Sequence, residues 1–177
     1  MLQFSFEQLI QLIIFILPAY VANSAPVFFG RSYAKIPIDF KAKFIDKRRL
    51  LGGGKTWPGF FVGILAGLIT ATITSQLITI YPSKRTHIFV GLMLAIGAML
   101  GDTLGSFVKR RLNIIHGRPA FLLDQIPFLL VALAFAYPWK PDVLDTTGFI
   151  FLLALTVVLH SGTNIIAHRL GLKKVPW

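Results

Sequence analysis

Cysteine is absent from the 177 residues. That excludes disulfides, thiol catalysis and cysteine-ligated zinc, and leaves the redox compartment open. Glutamate occurs once, at Glu7, among only seven acidic residues. Charged residues make up 14% of the chain, against about 25% in an ordinary soluble domain. A water-soluble globule does not fit that composition. No Lys or Arg precedes Arg31, so the apolar start lacks the basic segment of a signal peptide and reads as a first membrane span. Internal repeats and low-complexity tracts are also missing.

Apolar residues, at 55%, and sixteen Phe take up the space that charge leaves, and the mean hydropathy is +0.71. Eighteen Lys and Arg give a formal charge of +11, which favours anionic partners such as lipid headgroups, phosphates or nucleic acid. Hydropathy this high places membrane lipid and nucleotide ahead of any nucleic acid.

A bilayer core of about 30 Å takes roughly 20 apolar residues as a helix. Residues 57–80 and 146–167 meet this without a single Asp, Glu, Lys or Arg. Residues 87–108 contain only Asp102, and 120–139 only Asp124, with Pro127 and Pro138. Residues 6–22 form a shorter first span. The expected fold is an all-α integral membrane protein, one domain over 1–177 with five transmembrane helices. The connecting stretches 23–56 and 109–119 and the tail after residue 167 hold fifteen of the eighteen Lys and Arg. By the positive-inside rule these lie in the cytoplasm, with the N-terminus outside and the C-terminus inside.

An ionised acid in an apolar span costs about 2.5 to 3.5 kcal/mol on insertion scales, so it faces a cavity, a partner or an ion. Asp102, Ser106 and Lys109 project from one helix face, with Asp102 about 10 Å inside the basic end of its span. Asp124 opens the next span. Two acids beside Lys109, Arg110, Arg111 and Arg118 suit a hard divalent cation with phosphate; pairing of each acid with a neighbouring Arg is an equal alternative. In the long loop, Arg48, Arg49, Gly52, Gly53, Gly54, Lys55 and Thr56 join cations to flexible backbone just before a helix, an arrangement suited to an anion. It is not a Walker A loop, since Arg49 stands where the first glycine belongs. On the last span, His160, Ser161, Asn164 and His168 share an arc of about 100°. Interhelical hydrogen bonding accounts for His160, and Asn164 is expected to line a pocket.

Several blocks together resemble the archaeal CDP-archaeol synthase family: Asn23-Ser-Ala-Pro26, Pro37-Ile-Asp-Phe40, Arg48 to Trp57, Gly101 to Arg111, Leu123-Asp-Gln125 and Leu170 to Trp177. The Arg48 to Trp57 and Gly101 to Arg111 blocks are also similar to phosphatidate cytidylyltransferases, through Lys55-Thr56 and through Gly-Asp-x-x-x-Ser-x-x-Lys-Arg. The resemblance implies Mg²⁺-dependent transfer of the cytidylyl group of CTP to 2,3-bis-O-geranylgeranylglycerol 1-phosphate, an unsaturated ether-lipid phosphate, in the cell membrane, from a site open to the cytoplasm and laterally to lipid. It carries the Gly-Asp-x-x-x-Ser motif onto Asp102 and Ser106, its basic end onto Lys109 and Arg110, the later acid onto Asp124, and the loop motif onto Lys55 and Thr56. The expected catalytic set is thus Asp102, Asp124, Lys109 and Lys55, with Asp102 and Asp124 on the metal. Thr56, Gly53, Gly54, Ser106, Arg110, Arg111, Arg118 and Asn164 are the expected substrate contacts. One departure stands out: relatives commonly place a second Asp three residues after the later acid, where this chain has Pro127.

Two other classes compete. An ion or small-anion transporter also uses intramembrane acids, but lacks support from an inverted repeat. A CDP-alcohol phosphotransferase needs more acids at fixed spacing than this chain possesses.

Overall fold

The computed structural model describes residues 4–29, 36–78, 80–115, 120 and 123–171. Five α-helices follow in order: α1 (Phe6–Phe29), α2 (Trp57–Leu77), α3 (Lys84–Arg111), α4 (Ile126–Ala136) and α5 (Thr146–Arg169), with one 3₁₀ turn, Tyr137–Trp139, after α4. No strand occurs among the described residues; isolated bridges join Pro37 to Thr56 and Lys43 to Arg49. The starts of α2, α3 and α5 are capped as short polar side chains before apolar runs should cap them. Thr56 accepts from the Gly59 amide at 3.2 Å, Ser83 from Thr86 at 3.1 Å and Asp145 from Gly148 at 2.8 Å.

Four of the helices, α1, α2, α3 and α5, are long and apolar enough to cross a membrane. Helix α4 is the exception. Residues 123–125 form a turn, Pro127 sits in the first helical turn, and the 11 residues of α4 rise only about 17 Å. The span expected over 120–139 is therefore a short helix with a turn at each end. Helix α1 departs the other way: it runs through Asn23 and on to Phe29 instead of ending at Ala22. The Ser24 hydroxyl donates to the Tyr20 carbonyl at 2.8 Å within the helix, so a residue that looks like a breaker is satisfied there. Helix α3 likewise extends beyond 87–108 at both ends.

Prolines and glycines bring the helices close. Pro26 lacks the amide that would bond the Ala22 carbonyl, and α2 packs on that freed carbonyl through Gly63, where a methyl group would stand 2.7 Å from the oxygen. Between α3 and α4, methyl groups at Gly97, Gly101 and Gly105 would fall 2.7 Å from Ala132 Cα, 2.6 Å from Phe128 Cα and 2.8 Å from the Leu123 carbonyl. Glycines four apart thus present bare backbone along one stripe, as membrane helices use for close approach. The seam holds Leu123 against Gly105 and so sets Asp124 beside the last turns of α3. Leu12, Ile16, Leu94, Ala98, Leu129 and Leu152 fill the core, while Phe61, Leu65, Ile69 and Ile73 leave α2 apolar outside.

The first loop, the end of α3 and the start of α4 meet at one end of the bundle. With no native cysteine, single cysteines at Ala42, Ala120 and Asp142 are expected to divide under impermeant labelling, Ala42 and Ala120 on one face and Asp142 on the other. Labelling of Ala42 and Asp142 from the same face would contradict the crossing pattern.

Candidate active site

At that shared end, two lysine–aspartate pairs involve the last turns of α3. Lys55, the last loop residue but one before α2, reaches Asp102 of α3, with Nζ 2.5 Å from Oδ2. Lys109, two turns further along α3, binds Asp124, whose other oxygen accepts the Ala120 amide at 2.9 Å. All four side chains are partly exposed, between 15% and 26%, so each pair is reachable from outside. The pairing alternative is therefore realised in this state, with lysines rather than arginines as the partners. The Oδ1 oxygen of Asp102 accepts no hydrogen bond among the described residues, which leaves a carboxylate oxygen for another ligand.

The surrounding cations divide into two kinds. Arg110 is within electrostatic reach of Asp124, and its Nε is buried without a hydrogen-bond partner among the described residues. An unpartnered guanidinium nitrogen beside Asp124 is a place for an anion, and the Nε of Arg111 is likewise buried without a hydrogen-bond partner among the described residues. Arg111 is already engaged: it donates to Asp46 and to the Arg49 carbonyl, both at 2.7 Å, and lies over the rings of Phe44 and Phe107 at 4.8 and 5.0 Å. Arg111 thus clamps the loop onto α3. Arg118 lies outside the described residues. Ser106 is buried and donates to the Asp102 carbonyl at 3.1 Å, so its hydroxyl is used within the helix. Thr56 caps α2, and Gly53 and Gly54 form the turn that delivers Lys55.

Asn164 lies elsewhere in the section, in a cleft between α1, α4 and α5 with Tyr20, Asn23, Phe128, Thr156 and His160. The Tyr20 hydroxyl is 2.8 Å from that of Thr156. Of the polar arc on the last span, His160 and Asn164 line this cleft, which runs beside the first turn of α4, whereas His168 is exposed.

Comparison with known proteins assigns this arrangement. The profile of the CarS-like family, described as CDP-archaeol synthase, matches residues 5–177. The chain belongs to the CDP-archaeol synthase family. The CDP-archaeol synthase of Pyrococcus horikoshii is 47% identical over 97% of this chain and 98% of its own length. That of Methanocaldococcus jannaschii is 42% identical over 92% and 94%. A solved structure described as an intramembrane enzyme for archaeal membrane lipid biosynthesis superposes with a TM-score of 0.73 at 38% identity, covering 86% of this chain and 92% of that one. The chain is accordingly a membrane enzyme, a transferase of lipid biosynthesis.

Within this CDP-archaeol synthase family member, Asp39 stands in one of the blocks that carry the resemblance, Pro37 to Phe40, but has no role in the expected site. Its carboxylate is buried and accepts from Arg49 Nη2 at 2.7 Å and Nε at 3.3 Å, from the Lys41 amide at 3.0 Å, and from the Leu51 and Gly52 amides at 3.1 Å each. Burial alone would raise its pKa; Arg49 and the three amides outweigh that and bring it down to about 2. Two amides of the glycine-rich run expected to cradle an outside anion are thus held by an internal one. Gly52 has φ of 96°, a conformation that glycine takes at little cost. Ile38 N then bonds the Lys55 carbonyl and Trp57 N the Ile36 carbonyl, both at 2.9 Å, which fixes the backbone on both sides of Lys55. Pro127 packs its ring on Gly105, with Cγ 3.2 Å from a methyl placed there.

Proposed function

We propose that this protein transfers the cytidylyl group of CTP to 2,3-bis-O-geranylgeranylglycerol 1-phosphate at the cytoplasmic membrane face, forming CDP-archaeol and pyrophosphate. The observation that carries the reading is the junction of Lys55–Asp102 and Lys109–Asp124 beside Arg110, in a chain of this family. A phosphate oxygen of the lipid forms a bond to the α-phosphorus, the bond from that phosphorus to the bridging oxygen breaks, and pyrophosphate leaves. The lipid phosphate is ionised near pH 7 and needs no general base. Two polyanions must nonetheless meet, so charge neutralisation and alignment are the main demands.

The chain's own residues answer those demands. Lys55 closes over the triphosphate from the first loop, while Lys109 and Arg110 hold phosphate oxygens from α3. Asp102 and Asp124 are hard oxygen donors suited to Mg²⁺, and Asp102 Oδ1 is available to it. No group of three or more His, Asp or Glu stands together among the described residues, so Mg²⁺ held here would draw its other ligands from phosphates and water, as is usual for that ion. When bound, Mg²⁺ supplies Lewis-acid stabilisation of phosphate charge. Substrate anions compete with each aspartate for its lysine, so the two ion pairs describe a resting arrangement. The cleft bearing Asn164 and Tyr20, beside the lightly packed α5, accommodates the glycerol end of the lipid.

The test uses purified full-length protein in nanodiscs with cytidine-labelled CTP, Mg²⁺ and the geranylgeranyl glycerol phosphate. Labelled CDP-lipid with equimolar pyrophosphate is expected. Label recovered only as CTP, with a lipid-free control giving the same trace, would refute it.

A further inference from the structure

The loop segment 39–49 is a small hairpin whose tip remains unexplained by the catalytic site. Phe44 N donates to the Arg48 carbonyl at 2.8 Å, Leu50 N to Ala42 at 3.0 Å, and Lys47 N back to Phe44 at 2.9 Å. From this frame Ile45 projects at 90% exposure and Phe40 at 70%. Phe40, Lys41 and Lys47 have φ of 44°, 66° and 61°, a region that non-glycine residues occupy only when their surroundings hold them. The exposed tip is therefore a fixed shape.

Its depth follows from α3. The 28 residues of that helix span about 42 Å, roughly 12 Å more than a hydrocarbon core. With the helix centred, its last turn projects about 6 Å beyond that core, which puts Phe107, four residues before the end, at the hydrocarbon boundary. The Phe44 ring meets Phe107 edge-on at 5.6 Å between centroids, so Phe44 shares that depth and Ile45 adjoins it. The charge at the tip is basic. Lys41, Lys43 and Lys47 make no ion pair among the described residues, while the two acids of the hairpin, Asp39 and Asp46, are held by Arg49 and Arg111, each at 2.7 Å.

We propose that the 39–49 hairpin is a membrane-surface anchor: Ile45 and Phe40 enter the headgroup region of the leaflet around the enzyme, and Lys41, Lys43 and Lys47 bind its anionic lipid phosphates. An apolar tip with a basic rim is what an anionic interface recognises. The anchor also steadies the loop that carries Lys55, since Arg111 ties both to α3.

The absence of native cysteine makes a direct test simple. The full chain with Ile45→Cys, carrying an environment-sensitive fluorophore, is placed in nanodiscs of phosphatidylglycerol or of phosphatidylcholine. In phosphatidylglycerol, a lipid nitroxide near the headgroup should quench the fluorophore and aqueous iodide should not. Replacing Lys41, Lys43 and Lys47 together by Ala should lower the lipid quenching by about two-fold or more, and so should phosphatidylcholine. Quenching by iodide alone would overturn the proposal, as would equal lipid quenching in the two bilayers. Protection from both quenchers would mark a second copy or another protein on the tip and would equally overturn it. None of these readings depends on the CTP assay.

Discussion

Asp102→Asn and Asp124→Asn are each expected to lower cytidylyl transfer by about a hundredfold or more while the protein stays folded. Asparagine preserves volume, and at position 124 its oxygen can still accept the Ala120 amide. What it removes is the anionic donor that Mg²⁺ and the partner lysine share. A hundredfold is about 2.7 kcal/mol of barrier. The stability at stake is smaller: each lysine–aspartate pair is partly exposed and contributes at most about 1 kcal/mol. For a chain of this size that corresponds to a few degrees in Tm. Turnover at saturating Mg²⁺, measured beside the thermal midpoint, therefore separates the two roles. Near-parental rates in both variants would remove the aspartates from the machinery, whatever happened to the midpoint.

The helical plan could be read from the sequence because runs of about twenty apolar residues have few other uses, and Asp102 and Asp124 stood out because acids in such runs are costly. Helix ends were less legible. Ser24 and Pro26 look like loop residues, yet a membrane helix satisfies one internally and packs a neighbour on the carbonyl the other frees. The start of α4 shifted to Ile126 because Asp124 is held by Ala120 N and Lys109, which makes the preceding residues a turn. Lysines 55 and 109 were named from the sequence, but the pairing of Lys109 with Asp124 depends on the α3–α4 glycine stripe, and that of Lys55 with Asp102 on the fold of the first loop against α3. Asp39 was hidden for a different reason. An acid in a loop with eight cations reads as solvated, and only the folded loop shows five donors converging on it.

Asp39→Asn is expected to lower kcat/KM for CTP by about ten- to a hundredfold, the loss that follows from about 1.5 to 3 kcal/mol for a charged hydrogen-bonding group. Lys41 N and Arg49 Nη2 share one carboxylate oxygen, and Leu51 N, Gly52 N and Arg49 Nε the other. Whichever way an asparagine amide turns, its NH₂ faces at least two of these donors. The glycine turn then loosens, and Lys55 loses its fixed approach to Asp102. Asp39 acts here through Lys55 as a positioning residue, so the effect should fall on CTP and leave the apparent affinity for the lipid phosphate nearly unchanged. A double-mutant cycle makes the point quantitative: Asp39→Asn added to Lys55→Ala should cost little beyond Lys55→Ala alone. Fully additive losses would show that Asp39 does not work through Lys55. The pH dependence has a definite sign as well. The folded-state pKa lies below the ordinary 3.8, at about 2, so the carboxylate's contribution is complete above the ordinary value and fades as pH falls toward 2. Hydrogen-exchange protection of the Leu51 and Gly52 amides, corrected for intrinsic rates, should hold in the parent down to about pH 4 and decline below it. In Asp39→Asn that protection should be low at every pH; protection equal to the parent's at pH 7 would mean that the loop is held by something other than this carboxylate.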